Sequence, residues 1–256
     1  MSKYLYGWKK TQGGLTLKKF SDSRFLKIVE LQSIVDLRNI DSLILDQGKL
    51  GSCTGNGIAG CINFIMKSVS FMASRLFIYY NERYMEGTIS QDSGANINDG
   101  LSSVVTYGVC SEVIWPYDIT QFAVKPSEEA YNLAMNDVVT DYLMLDNLFE
   151  VKQCLSSGFP VVFGINVYES FEDSHVASSG HVPVPQSNEQ CLGGHCMKIV
   201  GYDDVNQWLI VANSWGTGWG DKGYCYLPYA YINSDASDFA TIRKDSGEDL
   251  LSGIIK

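Results

Sequence analysis

Three side chains in this sequence have the types and order that thiolate-driven acyl transfer needs. Cys53 closes the loop Asp46-Gln47-Gly48-Lys49-Leu50-Gly51-Ser52 and opens an apolar, helix-like run; His195 follows it by 142 positions in Gly193-Gly194-His195, and Asn213 by 160 in Asn213-Ser214-Trp215-Gly216. A thiol is mostly protonated at neutral pH and attacks well only as thiolate. A helix N-terminus and a neighbouring imidazolium both favour that form. Cys53 stands where the helix begins, so it is the candidate nucleophile. His195 is the candidate proton carrier, taking the thiol proton and later delivering it to the leaving amine. Asn213 can hold the ring through a neutral amide. The side-chain amide of Gln47, six residues before the thiol, can join the Cys53 backbone N–H in an oxyanion hole. Singly, each has a bland reading as a core thiol, a turn histidine, a solvated glutamine or a strand end. Jointly, four elements in this order point to a peptidase working through a covalent acyl-enzyme.

Two kinds of element must bring these groups together. Residues 1–34, broken by Gly13-Gly14, read as an arm. From 35 to 137 the pattern is mainly helical: Ile58, Ile62, Ile65, Met66 and Val69 fall on one helix face, with Gly57, Ala59 and Gly60 nearer its start for close packing. Helical segments are also expected over 70–85 and over 100–107, the latter capped by Asp99 and ended by Gly108. From 138 to 256 the period changes. Strands are expected over 161–167, 197–202, 208–213 and 223–227, with a helix over 148–156 and a turn at 203–207. Residues 168–193 read as a polar loop, and 233–256 as weakly patterned. A helical half carrying the thiol and a β-rich half carrying the imidazole make a cleft between them.

Composition narrows the rest. A formal charge of −10 argues against nucleic acid or an anionic membrane as partner, leaving a peptide or protein substrate. No run of 18 apolar residues is present, and the first residues carry no continuous apolar core, so neither a membrane span nor a signal peptide is expected. Seven cysteines with no Cys-x-x-Cys pair read as reduced thiols in the cytoplasm or another reducing intracellular compartment. Cys191 and Cys196 flank His195, but no fourth ligand completes a structural zinc site; no metal or other cofactor is expected. Cys61, Cys154 and Cys225 read as core thiols, His175 and His181 as solvated, and Asp203-Asp204 as turn formers.

The runs Gln47-Gly48-x-x-Gly51-Ser52-Cys53, Gly194-His195, Gly201-Tyr202 and Asn213-Ser214-Trp215-Gly216-Thr217-Gly218-Trp219-Gly220 resemble the papain-like cysteine peptidases. Val35-Asp36-Leu37-Arg38 is similar to the start of that family's mature domain, and the likeness spans roughly residues 35–232. It implies an α+β fold with a helical left domain, a β-barrel-like right domain and the active site between them. It also implies that Trp215 shields the Asn–His hydrogen bond, that Gly94 pairs with substrate backbone, and that Gly164 and Cys196 wall the pocket for the residue two before the scissile bond. Small wall residues there imply room for a bulky apolar side chain. Thr54 stands where most members carry an aromatic residue, and Leu50 and Asp92-Ser93-Gly94-Ala95 stand where they carry disulfide cysteines. The short leader resembles the propeptide-poor microbial branch typified by xylellain, which implies an arm lying along the cleft. It either gates the cleft or braces the two halves. The same residues would serve a transamidase or peptide ligase, and a silent structural protein keeping the fold is the remaining alternative.

Overall fold

The structure, a computed structural model, describes residues 4–12, 18–22, 31–40, 43–66, 71–136 and 141–243. Helices α1 (Cys53–Met66), α2 (Arg75–Glu86), α3 (Ile97–Tyr107) and α4 (Glu128–Ala134) lie on the nucleophile's side. The Ser74 side chain caps α2 by accepting from the Phe77 N–H, and Gly87 ends it in the left-handed region at φ 71°. Asn96, rather than Asp99, caps α3: its side chain accepts the Asp99 N–H, and Asp99 lies in the first turn.

The remaining strands form one antiparallel sheet. Strand β1 (Ile34–Asp36) pairs with β4 (Cys191–Asp203), and the main order is β2 (Asp141–Met144), β7 (Ala236–Arg243), β3 (Val161–Tyr168), β4, β5 (Trp208–Ala212), β6 (Tyr224–Pro228). The sheet is open, with β2 and β6 at its ends, and does not close into the barrel-like form the resemblance implies. Helix α5 (Leu148–Ser156) spans the expected residues, and α6 (Ser174–Ser179) and α7 (Tyr229–Asp235) complete the set. The supposed polar loop at 168–193 contains α6, and the weakly patterned tail contains β7, a strand in the sheet's interior.

Helix α1 is the element both halves share. The sequence shows one apolar face, yet every residue from Cys53 to Ile62 is buried, because α1 lies between α2, α3 and the sheet. Glycines make this possible. A Cβ on Gly57 would stand 2.8 Å from the Cys196 Sγ and 3.2 Å from Val162, and one on Gly55 would stand 2.8 Å from the Arg75 carbonyl oxygen of α2. Such separations are too short for real Cβ contacts, so α1 can approach β4 and α2 only where it has no side chain.

The N-terminal segment divides into two described pieces. Residues 4–12 run through the cleft. Residues 18–22 lie against the sheet: the Met144 N–H donates to the Lys18 carbonyl at 2.9 Å, Lys19 bridges Met144 in parallel, and Phe20 is fully buried in the core that holds Leu143, Leu145 and Phe163. Removing a buried phenyl ring costs about 3–5 kcal/mol in transfer and cavity terms. Phe20→Ala is therefore expected to lower the unfolding free energy by about that amount, read from the denaturant midpoint. A change below about 1 kcal/mol would mean that this second piece does not brace the sheet.

Candidate active site

The loop before Cys53 is shaped by polar partners. Gly48 adopts φ 59° while its N–H donates to the Asp46 carboxylate at 2.9 Å, and the Gly51 N–H donates to both Asp92 carboxylate oxygens at 3.0 and 3.1 Å. Arg75 donates to the Asp46 carbonyl at 2.8 Å and stacks over Tyr117, whose hydroxyl donates to the Gln47 carbonyl at 3.0 Å. These bonds place Gln47 and Cys53 on one wall of the cleft.

The opposite wall comes from the sheet. His195 sits within β4, paired with Ile165, and Asn213 follows β5. The His195 Nε2 lies 2.8 Å from the Asn213 Oδ1, which also accepts the Ser214 N–H at 2.8 Å. An atom accepting a backbone N–H is an oxygen, so the ring must carry its proton on Nε2 and its lone pair on Nδ1. Among the described residues, Nδ1 has no hydrogen-bond partner. Trp215 stacks on the imidazole at 5.0 Å between centroids, with Trp219 edge-on beyond it at 5.0 Å, so indole rings cover the histidine. The two walls are sewn together beside the thiol: the Gln47 N–H donates to the Ser214 carbonyl at 2.9 Å, and the Ser214 hydroxyl to the Gln47 Oε1 at 2.6 Å. With its oxygen so fixed, the Gln47 amide nitrogen donates to the Leu50 carbonyl at 3.0 Å and to the Leu5 carbonyl of the arm at 3.1 Å.

The arm fills the cleft between the walls. Tyr4 stacks on Trp215 at 3.6 Å, and the Tyr6 hydroxyl donates to Glu172 at 2.5 Å. The Trp8 N–H donates to the Gly194 carbonyl at 2.9 Å. Its indole lies on Gly164, where a Cβ would be 1.9 Å from the ring. The Ala95 N–H donates to the Gly7 carbonyl at 2.7 Å and the Lys9 N–H to the Ala95 carbonyl at 3.0 Å, a parallel bridge. The residue that pairs with the arm is thus Ala95, next to Gly94. Gly94 lies against Gly7 so closely that a Cβ would stand 1.9 Å from the Gly7 oxygen. Gly164 and Cys196 sit in register on β3 and β4, and Cys196 shares an apolar cluster with Trp8 while its sulfur abuts Gly57.

Burial dominates the electrostatics. Loss of solvent pushes the Cys53 thiol up to about 12; backbone N–H groups of Cys196, Gly7 and Thr54 oppose that rise, and Glu82 adds to it. Burial lowers His195 to about 4 against the opposing effect of its bond to Asn213. With the arm in place, burial therefore favours a neutral thiol at Cys53 and a neutral imidazole at His195.

Sequence reasoning missed two acidic groups next to these residues. Asp238 of β7 accepts from the arm. Glu82 of α2 is fully buried and accepts from the Thr54 hydroxyl at 2.5 Å, its second oxygen having no partner. No pattern in α2 marks Glu82, since a carboxyl inside a helix ordinarily faces solvent. The hydroxyl of Thr54 is the only signal, in a place where an aromatic residue is expected. Burial raises Glu82 to about 8 from an ordinary value of 4.5, with the Thr54 hydrogen bond opposing. Between those values the folded chain holds a proton that the unfolded chain releases. The contribution of Glu82 to stability is then fully present below about pH 4.5 and is lost as pH rises through about 8. Glu82→Gln should flatten the fall in melting temperature between pH 5.5 and 8; an unchanged slope would show that Glu82 is not held protonated.

Three comparisons place this geometry among known proteins. Residues 32–238 match the papain family cysteine proteases. The chain is 42% identical over 249 residues to an uncharacterized peptidase C1-like protein of Acanthamoeba polyphaga mimivirus, covering 90% of this chain and 80% of that protein. It is 28% identical to cysteine proteinase 2 of Entamoeba histolytica and spans 58% of that protein's length. Among solved structures, xylellain, a cysteine protease from Xylella fastidiosa, superposes with a TM-score of 0.85 at 35% identity, over 94% of this chain and 97% of that one. A procathepsin B of Trypanosoma congolense, at 18% identity and a TM-score of 0.71, shares the fold. The chain belongs to the papain family of cysteine proteases.

Proposed function

We propose that this chain is an endopeptidase in which Cys53 attacks the scissile carbonyl and His195 carries the proton. On this reading Asn213 orients the ring, and Gln47 with the Cys53 N–H stabilises the oxyanion. The observation that carries it is the imidazole itself: Nε2 is tied to Asn213 at 2.8 Å, and Nδ1 is left with a lone pair and no partner. That is the state a general base requires. The oxyanion role is supported by the Gln47 amide nitrogen, which already donates to a carbonyl oxygen, that of Leu5. The working division is residues 1–34 as arm, 35–137 as the helical half and 138–256 as the β-rich half.

The arm, on the same reading, is an inhibitor. Substrate in this family would place the residue two before the cut at Gly164 and run from there toward Cys53. The arm runs the other way, with Gly7 against the thiol before Trp8 reaches Gly164, and its bridge to Ala95 is parallel. A reversed chain offers its carbonyls with the wrong polarity for acyl transfer. Of its contacts, Trp8 is the anchor. The ion pair from Lys9 to Glu86, at 2.9 Å and with the lysine 44% exposed, contributes at most about 1 kcal/mol, whereas burying an indole contributes about 4–6 kcal/mol at ~25 cal per Å². The two roles open to the arm thus fall on different pieces: 4–12 cover the cleft and 18–22 brace the sheet.

A peptidyl epoxide or vinyl sulfone tests both claims. It is expected to label Cys53 slowly in the unaltered chain, at least tenfold faster in Trp8→Ala, and not at all in Cys53→Ala. Failure of Cys53 to label in both of the first two proteins would defeat the peptidase reading. Equal rates in those two would defeat the inhibitory role of Trp8.

A further inference from the structure

Cys196 is a fully buried free thiol that acyl transfer leaves unused, and it stands beside the nucleophile. Its backbone N–H is directed at the Cys53 sulfur, and its own sulfur is three bonds from that amide. A cysteine sulfur that receives another cysteine's amide brings the two Cα atoms to within roughly 7 Å, which is disulfide reach. The Cys196 sulfur also lies over the helix face that carries Cys53. It abuts Gly57, one turn along α1, where a Cβ would meet it at 2.8 Å.

The surroundings leave this thiol room to turn. Gly57 flanks it on α1, and Gly164 is its partner in register on β3, so neither neighbour offers a side chain. The space over Gly164 is taken by the Trp8 indole, and Trp8, Cys53 and Cys196 belong to one apolar cluster. Once the indole leaves, the sulfur can swing between staggered rotamers on the open cleft wall. Of the seven cysteines, Cys61 alone joins these two in the cluster, and it lies a further turn along α1 beyond Gly57. An accessible nucleophilic thiolate with a second thiol beside it is the arrangement in which oxidation stops at a reversible stage.

We propose that Cys196 is a resolving thiol for the nucleophile, closing a reversible Cys53–Cys196 disulfide when a hydroperoxide reaches the cleft, and that the arm shields the pair until it is displaced. The proposal rests on the peptidase reading, which supplies the thiolate of Cys53 and the imidazolium of His195. The Cys53 sulfur attacks one peroxide oxygen and the O–O bond breaks. Cys53 becomes a sulfenic acid, and the departing hydroxide takes the His195 proton and leaves as water. The Cys196 sulfur then attacks the Cys53 sulfur and the S–O bond breaks. The hydroxyl leaves with the Cys196 thiol proton as a second water. A dithiol reductant reverses the lock, returning both thiols and becoming a disulfide itself. Without Cys196 the sulfenic acid stays open to a second peroxide, which carries it to the irreversible sulfinic acid.

The test uses the full chain carrying Trp8→Ala, reduced and then exposed to hydrogen peroxide, with the remaining thiols alkylated before peptide mass mapping. A peptide pair joined through Cys53 and Cys196 is expected, and dithiothreitol should separate it. Peptide cleavage is measured against each protein's own untreated rate. The fraction that dithiothreitol restores should be at least tenfold larger in this protein than in its Cys196→Ala derivative, where Cys53 ends as sulfinic acid. Sulfinic acid at Cys53 with Cys196 present, a bond to Cys61 instead, or recovery unchanged by Cys196→Ala would each overturn the proposal. With Trp8 intact the bond should form at least tenfold more slowly, and equal rates would overturn the shielding by the arm. The mass map does not depend on turnover. A Cys53–Cys196 disulfide in a chain that cuts no peptide would defeat the peptidase reading and keep the thiol pair, whereas its absence overturns the pair whatever the activity. If Trp8→Ala does not fold, Tyr4→Ala loosens the arm from its other end and serves as the background.

Discussion

The contact between helix α1 and strand β4 is the constraint on which the rest of this structure depends. The thiol belongs to a helix and the imidazole to a sheet, and neither element can reach across a cleft filled with side chains. Gly57 removes the obstruction, one turn beyond Cys53, and the Cys196 sulfur one residue beyond His195 occupies the space it leaves. Helix and strand therefore meet one turn beyond Cys53 and one residue beyond His195. A methyl group at position 57 would need 2.8 Å to the Cys196 sulfur, with Val162 behind it, in an interior that does not relax cheaply. The bonds between Gln47 and Ser214 then fix the remaining freedom, so that the loop before the nucleophile and the turn after Asn213 move as one piece.

Covering this junction changes its chemistry as well as its access. A thiolate–imidazolium pair at Cys53 and His195 would carry two charges, and both side chains are fully buried. The thiol is pushed up and the imidazole down by the same cause, burial, so proton transfer between them is opposed from both sides. Backbone N–H groups directed at the sulfur offset only part of that. The nine described residues of the arm lie over both groups, with Gly7 at the thiol and Tyr6 edge-on to the imidazole at 5.8 Å. Its second described piece is tied to the sheet through the buried Phe20.

How much of this could be read from the sequence depends on how local each signal is. Helix α5 and the end of α3 at Gly108 follow from short-range pattern and turn chemistry, and Cys53, His195, Asn213 and Gln47 stand in short motifs that survive without tertiary context. Strand β7 is hidden because Asp238 in a left-handed bulge and the buried Arg243 break its alternation; the neighbours that justify both, the arm and the sheet, are distant in sequence. Helix α1 looks amphipathic because its glycines and small polar residues count as weakly apolar, although they are the surfaces packed most tightly. The arm's pairing with Ala95 has no mark in the sequence, since it depends on the direction in which residues 4–12 cross the cleft. Glu82 has no local mark at all.

That carboxyl group bears on the nucleophile through charge alone. Thr54, in the place where an aromatic residue is expected, spends its hydroxyl on Glu82, so a titratable group lies within the electrostatic reach of Cys53, and an ionised carboxylate there opposes the thiolate. The helix N-terminus works in the opposite sense, but its effect falls off within the first turn and contributes about 1 kcal/mol. An uncompensated anion in the same buried space would cancel it. Burial settles the conflict by keeping Glu82 protonated up to about pH 8. Below that pH it meets Thr54 as a neutral hydrogen-bonding partner and leaves the helix terminus free to favour the thiolate. The desolvation that favours neutral forms of Cys53 and His195 is thus, one layer deeper, what removes a competing negative charge from beneath the thiol.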